Sequence, residues 1–155
     1  MNLLEQLTNN FALSEFTYSP TAKKYGMGNY PRVIAIKALI NLCNMVLQPL
    51  RNHYGHPIMV LSGYRTRSLN KALGERKDSQ HLRGEAADIL FPDAETAEDW
   101  IEFVRCHCMF DEMVLRPSDN ELGRACLHIS CCTDPARNRR VFRTEGETPS
   151  DNLLP

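Results

Sequence analysis

The stretch Ser79-Gln80-His81-Leu82-Arg83-Gly84-Glu85-Ala86-Ala87-Asp88 places a histidine and an aspartate on either side of a glycine. A second histidine stands near the C-terminus, in Leu127-His128-Ile129-Ser130. His81, Asp88 and His128 offer a metal two imidazoles and one carboxylate. Three protein ligands leave a fourth position for water, which is how catalytic zinc sites are built. Asp88 lies inside an apolar run, where a carboxylate is costly unless it is paired or metal-bound. His128 lies in another apolar run, with Ser130 as its next neighbour on the same face of a strand. Each residue alone also suits an ordinary role, as a hydrogen-bonded core histidine or an ion-pair partner. Gly84 permits the turn that lets His81 and Asp88 converge.

Arg65 is the other chemically notable group. It follows Ser62-Gly63-Tyr64 out of a buried strand, which would aim a guanidinium into a cleft beside the sheet. There it can hold a carboxylate or stabilise a developing oxyanion. The remaining histidines suit other places. His53 and His56 flank a helix end, and His107 stands between Cys106 and Cys108.

The elements that must position these groups can be read from periodicity. Val33, Ile36, Leu39, Ile40, Cys43, Leu47 and Leu50 recur at helical spacing, so a helix is expected over 32–54, disturbed near Pro49 and stopped by Gly55. Residues 11–31 read as loop with one or two short helical turns, one of them capped by Ser19 with Pro20 at its first position. Ile58-Met59-Val60-Leu61, then 85–91, 110–115 and 125–132 read as strands, and Val141-Phe142 as a short edge strand. Short helices are expected over 68–73 and 96–108, the second capped by Asp93 or Thr96. Residues 75–82 read as polar loop. Alternation puts Ala86, Asp88 and Leu90 on one face and Ala87, Ile89 and Phe91 on the other. The expected fold is α+β, an antiparallel sheet covered by helices, in one domain over 1–143 with a flexible tail over 144–155.

Composition narrows the function classes. The 155 residues carry a net charge of −1, and nothing in the total points to nucleic acid. The one basic cluster, Arg137-Asn138-Arg139-Arg140, reads as a solvated turn. No apolar stretch reads as membrane-spanning, and Met1–Leu7 lacks the basic start and apolar run of a signal peptide. The expected location is therefore the cytoplasm, at least as synthesised. The six cysteines lack the C-x2-C spacing of a structural zinc site and read as reduced thiols, mostly buried.

Taken together, Ser-Gly-Tyr-Arg at 62–65, Ser-x-His-x-x-Gly-x-Ala-x-Asp at 79–88 and Leu-His-Ile-Ser at 127–130 resemble the zinc D-alanyl-D-alanine carboxypeptidase family. That family includes D-Ala-D-Ala dipeptidases and phage endolysins, and shares its fold with the hedgehog signalling domain. Phe16-Thr17, Ser19-x-Thr21-Ala22, Gly28-Asn29-Tyr30-Pro31, Leu47-Gln48-Pro49-Leu50-Arg51, Pro57-Ile58 and Leu69-Asn70 extend the likeness over residues 11–143. The resemblance implies that His81, Asp88 and His128 bind Zn2+. It implies that Arg65 contacts the substrate carbonyl and that Ser79 lines the substrate site. The implied reaction is hydrolysis of a peptide bond in peptidoglycan stem peptides, by an enzyme of carboxypeptidase or endolysin type. An endolysin of phage or prophage origin would reach the wall after membrane damage.

The chain departs from the family pattern at the catalytic carboxylate. Many relatives carry Glu or Asp three residues before the last histidine ligand, where this chain has Ala125. Closer relatives carry Glu at the end of the strand that begins Phe-Asp, where this chain has Arg116. An arginine cannot serve as the base. Glu112, Asp119 and Glu121 remain as candidates. A tryptophan common two residues before that histidine is replaced by Cys126. These changes leave a second reading open: a catalytically impaired relative that binds peptidoglycan or a protein partner. In a third, Cys126, Cys131 or Cys132 alters the site, since alternation puts Cys126 and Cys132 on the face of His128.

Overall fold

The computed structural model of the chain describes residues 5–118 and 123–146. The chain opens with a small hairpin of β1 (Gln6–Thr8) and β2 (Phe11–Ala12), which the sequence reading missed. Two short helices follow, α1 (Leu13–Thr17) and α2 (Pro20–Lys24). Ser19 caps α2 as expected, its side chain accepting the Ala22 N–H at 3.2 Å.

The long helix is α3 (Val33–Leu42) running through a π turn (Cys43–Leu47) into α4 (Gln48–Tyr54). Pro49 disturbs the ladder as expected, but the disturbance lies before it. Pro49 has no N–H to donate and crowds the preceding turn. The backbone widens by one residue, so that the Gln48 N–H donates to Cys43 O. Gly55, with φ at +77°, ends α4 in the left-handed region. Contrary to the sequence reading, the stretch Val33–Tyr54 is long and apolar enough to cross a bilayer, with a mean hydropathy of 1.6. Its apolar face is used inside the protein. Leu39, Leu42, Val46, Leu47 and Leu50 are buried in the core.

The remaining elements are β3 (Val60–Ser62), α5 (Arg67–Ala72), a 3-10 turn (Gln80–Arg83), β4 (Ala86–Leu90), α6 (Ala94–His107), β5 (Glu112–Arg116), β6 (Cys126–Ser130) and β7 (Val141–Thr144). Asp93 caps α6, accepting the Thr96 N–H at 2.7 Å. The strands from β3 onward form one sheet in the order β3-β4-β6-β5-β7. The fold is mixed α and β, with helices against a sheet. Ala87, Ile89, Phe91, Met113, Leu127 and Ile129 pack into the helical core together with Trp100 and Val104.

The sheet is not wholly antiparallel, because β7 runs parallel to β5. The reason is topological. Both flanks of β6 are taken by β4 and β5. The chain leaving β6 therefore passes beyond β5 through a 3-10 turn (Pro135–Arg137), and Val141 N–H docks on Asp111 O at 2.9 Å. Thr144 still belongs to β7, so the ordered sheet enters the segment expected as tail; the rest of that segment, from 147, lies outside the described residues.

Candidate metal centre

The register across the five-stranded sheet assembles the site. Ser62 pairs with Asp88, Asp88 with His128, His128 with Val114, and Val114 with Arg143. Registered residues share a face of a sheet. This row lies on the face opposite the Ala87, Ile89 and Ile129 core. His81 comes to it from the 3-10 turn, where the sequence reading had polar loop. Ser79 starts that turn, its Oγ accepting the His81 N–H at 3.3 Å. Gly84 ends it at a φ of +73°, so tightly against α3 that an added Cβ would collide with the Ala35 carbonyl.

Two hydrogen bonds, one backbone to backbone and one from the His81 ring, lock this turn to the Ser62–Arg65 segment. Arg65 N–H donates to His81 O at 3.1 Å, and His81 Nδ1 donates to Gly63 O at 2.6 Å. Gly63 has its own constraint, since a Cβ there would come within 2.6 Å of the Phe16 backbone. A carbonyl can only accept, so the His81 tautomer is fixed with the proton on Nδ1. Its Nε2 is then a lone pair, buried, without a hydrogen-bond partner among the described residues, and 3.4 Å from Asp88 Oδ1. His128 Nδ1 lies 3.0 Å from the same Asp88 oxygen. One candidate ligand atom from each of His81, Asp88 and His128 falls within 4.8 Å of the others.

Two acceptors facing each other in a buried site repel unless a cation sits between them. The imidazole, carboxylate, imidazole donor set suits zinc, so the residues present fit that ion. Electrostatics agree. Burial holds the His81 imidazole below its ordinary pKa against the pull of Asp88, which keeps it neutral and able to ligate. Burial would raise the Asp88 carboxyl, but the neighbouring His81 imidazole and the hydrogen bond from His128 outweigh it and hold the group well below its usual range.

Arg65 is 5% exposed and points to Asp88, with Nη2 3.2 Å from Oδ2 and Nε donating to Ser62 Oγ at 3.0 Å. It holds the second oxygen of Asp88 and leaves the first to face the histidines. Arg116, at the end of β5, also reaches Asp88, its Nη1 3.6 Å from Oδ2.

His81 and His128 open onto a cleft of about 670 Å³ that Ser79 and Glu112 also line. Among the described residues four carboxylates line it: Glu75, Asp78, Asp111 and Glu112. Asp78 is tied to Arg76, and Asp111 is saturated by Arg139 and Gln80 at 2.9 Å. Glu112 Oε2 lies 3.6 Å from both Arg139 and Arg143. Glu75 Oε1 lies 4.0 Å from Arg65 Nη1. The sequence reading missed Glu75, which sat in a polar loop with no pattern to mark it. Glu121 and Asp119 lie outside the described residues. All six cysteines are free thiols, five of them buried. Cys132 lines the cleft, and burial raises its thiol. None joins the ligand cluster among the described residues.

No curated protein matches the chain. A sequence profile of the peptidase M15 family matches residues 9–120, which takes in Arg65, His81 and Asp88 and stops short of His128. The sheet supplies what the profile leaves out, since β6 lays His128 directly against Asp88. With most of its length matched and a buried His-Asp-His cluster opening on a cleft, the chain belongs to the peptidase M15 family.

Proposed function

We propose that this chain is a zinc-dependent peptidase that hydrolyses bonds in peptidoglycan stem peptides, of D-Ala-D-Ala carboxypeptidase or endolysin type, on a hedgehog/DD-peptidase fold. The observation that carries the zinc is the orphaned His81 Nε2 facing the Asp88 carboxylate, with His128 beside it. The peptidoglycan substrate rests on the motif resemblance and on family membership. Bound there, zinc supplies a Lewis acid and a water that ionises near neutral pH.

The chain's own residues do the rest. Gly63 O fixes the His81 ring and its tautomer. Arg65 holds Asp88 by one oxygen. Ser79 starts the turn that presents His81 and faces the cleft. The proton from the attacking water passes to a cleft carboxylate and then to the leaving amine. Glu112 and Glu75 are the cleft carboxylates not saturated by bonds to their neighbours. The enzyme is made in the cytoplasm and meets its substrate after release.

A second reading draws on Arg116, which occupies the position where closer relatives carry the catalytic glutamate and leans on Asp88. On that reading the site binds stem peptides without cleaving them. Digestion of purified peptidoglycan by the zinc-loaded chain, with mass spectrometry of the released stems, separates the two. New peptide termini that disappear in His81→Ala establish the peptidase. An intact wall with one zinc per chain refutes it.

A further inference from the structure

We propose that Arg116, with Arg143 beside it, forms a subsite for the free C-terminal carboxylate of the peptide, so that this cleft takes chain ends rather than chain interiors. The inference rests on the peptidase reading and narrows it.

Local charge is the first argument. Arg65 and Arg116 face Asp88 and Glu75 at 3.2–4.0 Å, and Glu145 Oε1 lies 4.0 Å from Arg116 Nε. A divalent cation in the His81, Asp88 and His128 cluster leaves this group with one surplus positive charge. Had residue 116 been a glutamate, the same group would have carried a surplus negative charge. The exchange of carboxylate for guanidinium swings the charge by two units and makes an anionic ligand the natural complement.

Position is the second argument. Arg116 lies two residues along β5 from Val114, the register partner of both His128 and Arg143. Arg116 and Arg143 therefore flank the same part of the site face. Arg116 Nη1 is 3.6 Å from an oxygen of Asp88. Successive residues of a peptide are about 3.8 Å apart, so a terminal carboxylate one residue beyond a carbonyl at the ligand cluster falls within reach of this guanidinium.

Spare hydrogen bonding is the third. The side chains of Arg116 and Arg143 are only 26% and 24% exposed. Nε of each is buried with no hydrogen-bond partner among the described residues. Of the other cleft arginines, Arg139 is hydrogen-bonded to Asp111, Arg76 to Asp78 and Arg83 to Glu85, whereas Arg116 Nε and Arg143 Nε approach Glu145 and Glu112 only to 4.0 and 3.6 Å. A planar guanidinium with unused donors matches a carboxylate fork.

The test compares diacetyl-L-lysyl-D-alanyl-D-alanine with its C-terminal amide on the zinc-loaded full chain. Equilibrium dialysis with mass spectrometry counts bound and cleaved peptide separately. The free acid is expected to bind at least tenfold more tightly than the amide. Arg116→Gln is expected to bring the ratio close to one with zinc stoichiometry unchanged, and Arg143→Gln to lower it, which keeps the test decisive if one variant fails to fold. Equal binding of acid and amide overturns the subsite, and cleavage of both then leaves the peptidase standing. A tenfold preference without cleavage of any peptide keeps the subsite and removes the peptidase. An amidated peptide bearing a D-glutamate side chain that binds as tightly as the free acid assigns the subsite to a side-chain carboxylate and overturns the C-terminal assignment.

Discussion

His81 donates its Nδ1 proton to the Gly63 carbonyl, which leaves Nε2 aimed at the same Asp88 oxygen that His128 Nδ1 meets at 3.0 Å. The metal-free chain must bear this arrangement, and its acid stability reports it. A buried imidazole with a lowered pKa takes up a proton first in the unfolded chain. Stability is therefore full above about pH 6.5, the ordinary histidine value, and falls as pH drops below it toward the folded-state value. Asp88 and Asp111, both held below the usual carboxylate range, add a second loss below about pH 4, again because the unfolded chain protonates first. Urea midpoints of the metal-free chain at pH 7.5 and 5.5 are expected to differ, and the difference is expected to shrink in His81→Gln. An equal drop in both proteins would assign the acid sensitivity to other groups. The identities of these residues were readable from spacing and from the cost of burying a lone carboxylate. The tautomer of His81 was not, because it depends on a carbonyl from a segment eighteen residues away. Arg65 was read as able to hold a carboxylate, and it grips Asp88; which carboxylate it would meet was not legible, because the pair spans two separate segments of the chain.

Elements explain why the ligands converge. The helix over 33–54 was legible from its apolar spacing, and β4, β5 and β6 from short apolar runs. The π turn before Pro49 and the 3-10 turn at 80–83 were not, because each answers a local hydrogen-bonding problem that carries no periodicity. The parallel edge strand β7 was not either, since strand order is decided by which flank remains open. Gly84 makes the dependence testable. A residue with a side chain there suffers both the left-handed backbone and the collision with Ala35 on α3. Gly84→Ala is expected to cost about 2–4 kcal/mol and to lower Tm by on the order of 10 °C. Gly74→Ala is the control. It shares a positive φ of +71° but has open space around it, so only the backbone cost of about 1 kcal/mol applies. Thermal melts of the two variants separate strain from close approach. Equal losses would mean that the packing of the 3-10 turn on α3 does not matter.

At the scale of the whole molecule, the sheet keeps its two faces for different tasks. One is sealed by the long helix and α6, with Trp100 and Phe110 fully buried. The other carries Asp88, His128, Glu112, Arg116 and Arg143 along four adjacent strands, and a cleft opens over part of it. Asp111 ties the two ends of this arrangement together. It is 2% exposed and binds both Gln80, on the turn that holds His81, and Arg139, on the connection to β7. A sequence reading could reach the mixed α and β class and single out His81, Asp88 and His128, which the structure brings together, because both rest on short motifs and local pattern. It could not reach the cleft's charge balance, which depends on residues from five separate segments. The central claim is that His81, Asp88 and His128 hold one zinc ion with a position left open. X-ray absorption at the zinc edge of the stoichiometrically loaded chain tests it most directly. The expected result is one zinc per chain in a shell of nitrogen and oxygen at about 2.0–2.1 Å, with two imidazoles and the binding lost in His81→Ala. A shell containing sulfur at about 2.3 Å, or zinc retained unchanged in His81→Ala, would contradict the account.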